Sequence, residues 1–152
     1  MPNVRNRLRF RDSDVIAARM KIDANDKEGT MKRQQLGEFV EEWIRLWNAR
    51  DLPAVLSHYD DRVVFHSPKA AVMVGKGKIE GKVALHSYGT TALERIPKLR
   101  FTLDHFAWDE KLEELFIVYI TELNEQRTRA CERMRFSGSL VVDSEGLYGA
   151  PV

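Results

Sequence analysis

Three observations on the sequence predict an α+β fold in which helices come first and one antiparallel sheet follows. Apolar residues between Gln35 and Ala49 recur at three- and four-residue steps, the period of an amphipathic helix. Beyond Pro97 four segments alternate apolar and polar residues, the period of a half-buried strand. The connections between those segments are short and polar, which suits hairpins and leaves no room for crossover helices.

Taken in order, the first helix carries Leu36, Phe39, Val40, Trp43, Ile44, Leu46 and Trp47 on one face. Asn48 to Asp51 ends it, and Asp51 is placed to cap a short second helix, Pro53 to Tyr59, with a proline in its first turn. Arg62 to Ser67 reads as a strand that sets Val63, Phe65 and Ser67 on one face and Val64 and His66 on the other, closed by Pro68. Gly75, Gly77 and Gly81 then mark a loop. Their spacing matches neither GxGxxG nor GxxxxGK[ST], so no phosphate-cradling loop is expected there. A helix resumes over Lys82 to Glu94. Strands follow at Leu99 to Trp108, Leu115 to Leu123, Thr128 to Phe136 and Leu140 to about Tyr148.

Composition excludes several function classes. With 24 basic residues against 23 acidic ones, the chain has no global field to draw it to nucleic acid or to an anionic membrane. Cys131 is the single cysteine, which rules out an intramolecular disulfide and fits a reducing compartment. No apolar run approaches the roughly 18 residues of a membrane helix, and the reading is a cytoplasmic protein. No histidine and carboxylate spacing on one element makes a ligand set, so neither metal nor cofactor is expected. Residues 1–30 hold seven basic and five acidic residues with one aromatic and no sustained period. They read as a flexible arm, with Met31 a plausible alternative start, and residues 31–152 as a single domain.

The candidate site comes from the stretch RACERMRF, Arg129 to Phe136. Alternation puts Glu132 on one face with Ala130, Met134 and Phe136, while Arg129, Arg133 and Arg135 share the opposite face with Cys131. A carboxylate among apolar side chains must be partnered, protonated or facing a cavity. A turn centred between Glu125 and Gln126 would bring Tyr119 opposite Glu132 and Ile117 opposite Met134. Of the histidines, His66 points away from Ser67, His86 lies on a helix surface, and His105 shares parity with Phe101 and Leu103.

The stretches WNARDLPAVLSHYDDRVVFHSP (47–68), GKGKIEGKVAL (75–85) and ACERMRF (130–136) together resemble the nuclear transport factor 2-like superfamily, in the branch of SnoaL-like polyketide cyclases and ketosteroid isomerases. The resemblance covers the chain from about Leu36 to its end. It implies a cone-shaped fold, in which helices and a strongly curved, mainly antiparallel sheet enclose an apolar pocket, and homodimers that pack through the outer sheet face. The ketosteroid isomerases place a tyrosine, an aspartate base and a second acid at positions that fall here on Trp43, Ser67 and Glu132. Only the last is an acid, and a serine is no base near neutral pH. The family's isomerase mechanism is therefore not expected to transfer intact.

Two functional readings follow. In the first, a small apolar or polycyclic ligand sits among Trp43, Phe65, Ser67, Phe101, Tyr119 and Met134, and Glu132 acts as general acid or base in an isomerisation, cyclisation or dehydration. In the second, the same fold binds a ligand or dimerises and performs no chemistry.

Overall fold

The computed structural model describes residues 33–152; the expectation of an arm at residues 1–30 lies outside them. The elements are α1 (Arg33–Asn48), α2 (Leu52–Leu56), β1 (Tyr59–His66), α3 (Pro68–Val74), β2 (Lys78–Glu80), α4 (Lys82–Arg95), β3 (Leu99–Asp109), β4 (Glu114–Leu123), β5 (Gln126–Ser137) and β6 (Leu140–Pro151). The strands form one six-stranded sheet in the order β2-β1-β6-β5-β4-β3. All neighbours are antiparallel except β1 and β6, which pair in parallel. The α+β class and the curved, mainly antiparallel sheet are as the sequence predicts.

Helix α1 buries Leu36, Phe39, Val40, Trp43 and Leu46, the stripe anticipated from the three- and four-residue steps. Its end is tied to the sheet. The Asn48 side chain donates to the Phe101 carbonyl at 2.9 Å and accepts from the Phe101 amide at 2.7 Å, filling both backbone valences of one residue on the edge strand β3. Asp51 caps α2 by accepting from the Ala54 amide at 3.1 Å.

Helix α3 was hidden to the eye that looks for period. Its seven residues show one buried side chain, Ala70, and Val72 is 87% exposed, so the apolar pattern is too thin to read. The end signals are nonetheless in place. Ser67 accepts from the Lys69 amide at 3.1 Å, Pro68 occupies the first turn, and Gly75 closes the helix at φ 75°, a conformation that favours glycine. Strand β2 is also new, three residues paired to β1.

Two sheet details depart from expectation. The β4–β5 hairpin closes on Asn124 and Glu125, with Asn124 at φ 53°, and Leu123 pairs with Gln126. Ile117 therefore lies opposite Glu132 and Tyr119 opposite Ala130, two residues from the predicted partners, with Leu115 opposite Met134. The parity of each face survives because the displacement is even. In β3 a register shift between Leu103 and His105 breaks the alternation. Phe106 and Trp108 take the inward places. The His105 side chain is 63% exposed beside Asp104, so it does not reach the interior.

Further register shifts lie between Tyr59 and Val64 in the β1–β6 pair, and at Thr128/Ala130 and Arg135/Phe136 in the β5–β6 pair. Each local irregularity bends its strand, and together they curl the sheet around the face that carries the core. Leu115, Ile117, Ala130, Met134, Phe136 and Val141 on that face meet the α1 stripe.

Candidate active site

Glu132 is carried by β5 on the concave face, opposite Ile117 of β4 on one side and Gly146 of β6 on the other. It is 5% exposed. The Ser144 hydroxyl donates to its Oε1 at 2.5 Å. Gly146 leaves the second oxygen its place: a Cβ there would stand 3.4 Å from Glu132 Oε2 and 3.6 Å from the Tyr148 hydroxyl. Ser144 and Gly146 share a face because they are two apart on β6.

Burial pushes the Glu132 carboxyl up from 4.5 to about 7, with Glu145 adding to the rise. The Ser144 hydrogen bond and the Arg133 charge pull in the other direction without prevailing. Arg133 cannot neutralise Glu132 directly because it lies on the opposite face of β5. There it meets Glu114 at 3.1 Å, Asp143 at 2.5 Å and Glu145 at 3.5 Å.

A cavity opens beside the carboxyl. It is lined by aromatic and aliphatic side chains from α1, α2, β1, α4, β3, β4 and β6, and all four tyrosines of the chain stand on its wall: Tyr59, Tyr88, Tyr119 and Tyr148. The space open to the centre of a water molecule is about 80 Å³, several times what one buried water needs, ~10–15 Å³ on the same measure. Among the described residues that line it, Glu132 is the one carboxylate and Lys69 the one cation.

The tyrosines form two groups. Tyr59 accepts from the Trp43 indole N–H at 3.2 Å, and its phenol also interacts with Ser144, so a chain of polar groups runs Trp43, Tyr59, Ser144, Glu132. Tyr88 and Tyr148 share the Ser67 hydroxyl. All four phenols are pushed above their ordinary range, first by burial and then in part by the nearby Glu132 charge. They are neutral O–H groups at physiological pH.

Of the residues expected at the site, Trp43, Phe65, Phe101, Tyr119 and Glu132 line the cavity. Phe101 stacks on Trp43 with ring centroids 5.8 Å apart and lies 4.9 Å from Tyr119. Trp43 serves the wall but not as a free donor, because its N–H is taken by Tyr59. Ser67 and Met134 are not on the wall. Ser67 is buried as the cap of α3 and reaches the cavity only through the tyrosines. Met134 is fully buried in the core, against Ser144 and Leu115 in the neighbouring strands.

The sequence reading did not single out Tyr59, Tyr88, Tyr148, Ser144 or Lys69. Tyr59 sits where helical period blends into strand period, and Ser144 and Gly146 break the apolar alternation of β6. That break is itself a signal, since small and polar residues facing a buried acid make room for it. Trp47 adds a further feature: its indole nitrogen is buried with no hydrogen-bond partner among the described residues.

The model of the SnoaL-like domain family matches residues 40–144. The chain belongs to that family, within the nuclear transport factor 2-like superfamily. Among solved structures it is similar to a SnoaL-like protein of unknown function from Burkholderia thailandensis, with 29% identity, a TM-score of 0.72, and 80% of this chain and 99% of that one covered. It is similar in fold to a nuclear-transport-factor-2-like protein of unknown function from Burkholderia xenovorans, with 18% identity, a TM-score of 0.65, and 80% and 88% covered. A protein of unknown function with a cystatin-like fold from Methylobium petroleophilum shares the fold too, with 20% identity, a TM-score of 0.66, and 81% of each chain covered. Among curated proteins none matches. Among the described residues no helix is long and apolar enough to cross a membrane.

Proposed function

We propose that the chain binds a small, largely apolar molecule in this cavity and moves a proton on it through Glu132. The observation that carries the reading is a buried carboxyl on the wall of an aromatic cavity, raised to about 7 by burial. A group titrating there is populated in both forms near neutrality, which is the condition for efficient general acid or base work. Proton transfer by one such group contributes typically about 10²- to 10⁴-fold.

The chemistry that suits the wall is removal of a proton from a carbon next to a carbonyl. The carboxylate takes the proton, the C–H electron pair moves into the enolate, and the carbonyl oxygen gains charge. Neutral phenols are the donors available to receive that oxygen, and Tyr119 and Tyr148 both stand on the wall. Return of the proton from Glu132 to a different carbon completes an isomerisation; its delivery to a departing β-hydroxyl, which leaves as water, completes a dehydration; attack of the enolate on a second carbonyl, with the proton passed to the new alkoxide, completes a cyclisation.

A non-catalytic binding module is the second reading, and one observation favours it: among the described residues Glu132 is the only carboxylate on the wall, with no second acid beside it. Glu132→Gln separates the two. It keeps shape and hydrogen bonding and removes proton transfer, so turnover should fall by at least about 100-fold in an enzyme while ligand affinity persists. Turnover unchanged in the variant would remove Glu132 from the mechanism.

A homodimer through the convex sheet face belongs to the same proposal. Phe116, Val118 and Ile120 of β4 are half-buried there, and Leu147 of β6 is 45% exposed. Of Arg129, Arg133 and Arg135 on this face of β5, two are engaged within the chain, Arg133 by its three acids and Arg129 by Asp104 at 2.5 Å. That leaves the apolar centre as the adhesive part.

A further inference from the structure

We infer that Lys69 holds the carboxylate of the ligand at the mouth of the cavity, so that the molecule bound is a small, largely apolar carboxylic acid. The inference rests on the binding reading above and adds the charge and orientation of the ligand to it.

Lys69 lies in the first turn of α3, where its backbone amide is fixed by the Ser67 hydroxyl at 3.1 Å. The same hydroxyl interacts with Tyr88 and Tyr148, so the cap that starts the helix also registers Lys69 against two phenols of the cavity wall. The ammonium stands 4.5 Å from the centroid of the Tyr148 ring, a cation–π geometry that holds the long side chain over the wall. Lys69 and Tyr148 line the cavity on one side and, with Pro68, Val72 and Met73, a shallow groove on the other. The pair therefore stands where the interior meets the surface.

No ion pair joins Lys69 to a carboxylate among the described residues, whereas Lys78, Lys82 and Lys98 each meet an acid within 4.0 Å. An ammonium over an aromatic ring, on a lysine that is itself half-buried, next to phenolic O–H donors and with no ion-paired acid among the described residues, matches a single carboxylate arriving with the ligand. The rest of the wall is apolar from Phe65 through Phe101 to Trp47 and suits a hydrocarbon body. No ion pair joins Glu132 to Lys69 among the described residues.

The test compares trans-cinnamate with its neutral isostere cinnamamide by calorimetric titration at pH 6, against the wild-type protein and the Lys69→Met and Lys69→Arg variants. The wild type is expected to bind cinnamate five- to tenfold more tightly than the amide. In Lys69→Met, which keeps the stem and removes the charge, the ratio should fall to about one, and Lys69→Arg should restore most of it. Equal affinity of the two probes for the wild type overturns the inference while leaving the binding reading intact. A preference that persists in Lys69→Met overturns it as well. Failure of both probes to bind the wild type sinks the inference together with the pocket reading on which it rests.

Discussion

Ser144 on β6 donates a 2.5 Å hydrogen bond to Glu132 on the neighbouring strand β5, the one hydrogen bond to that carboxyl among the described side chains. The strength of this contact sets how far burial alone can shift the acid. Removing it with Ser144→Ala deletes an interaction that favours the ionised form, so the Glu132 pKa should rise further above 7. Carbon-13 NMR titration of the glutamate carboxyls, assigned through Glu132→Gln, reads this directly. A downward shift would mean that the serine stabilises the protonated acid. The variant should also lose about 1–3 kcal/mol of stability, because a buried acceptor is left without its partner.

Stability should depend on pH through the same residue, with a sign that follows from the direction of its shift. The folded-state pKa of Glu132, about 7, lies above the ordinary 4.5. Folding therefore favours the protonated form, and the contribution is fully present below pH 4.5 and lost as pH rises through 7. Linkage puts the loss at about 3 kcal/mol. Urea unfolding of the wild type and Glu132→Gln from pH 4.5 to 8 isolates it, since other carboxylates cancel in the difference. The wild type should weaken relative to the variant by that amount, and a flat difference would place Glu132 in contact with water.

Trp43 and Trp47 stand one helical turn apart, yet their substitutions to phenylalanine should differ. Trp43→Phe strips the buried Tyr59 hydroxyl of its donor at 3.2 Å, a loss of about 1–3 kcal/mol. Trp47→Phe removes an indole nitrogen that has no partner among the described residues, so the apolar area lost is offset by a relieved buried donor. Guanidinium midpoints should fall clearly for the first and little for the second. Equal losses would show that the Trp47 nitrogen is hydrated or bonded in solution.

These residues also mark what the sequence could and could not tell. The α1 stripe and the alternation of β3 to β6 were legible because each buries one face, and burial writes its period into the chain. Parity alone placed Glu132 among apolar neighbours, and that survived a hairpin that closed one residue from where it was expected. Backbone irregularities were not legible: the shift at Leu103/His105 turns His105 outward without any change in residue type that announces it. Nor was the gathering of the four tyrosines. Tyr59, Tyr88, Tyr119 and Tyr148 lie on four different elements, so only the parallel closure of β6 on β1 and the packing of α4 bring them to one wall.

The convex face supplies the last prediction. Val118, Cys131 and Leu147 lie side by side across β4, β5 and β6, in register with one another, and all point away from the core. Arg133 next to them is held by Glu114, Asp143 and Glu145, so its guanidinium is engaged within its own chain. An isologous contact brings like to like, so a neutral apolar centre is what such a face needs. Sedimentation at micromolar concentration should give a dimer for the wild type, and Leu147→Asp, which sets two uncompensated carboxylates near the centre of the contact, should give a monomer. A monomeric wild type would mean that the exposed Leu147 serves some other contact, and the dimer would be withdrawn.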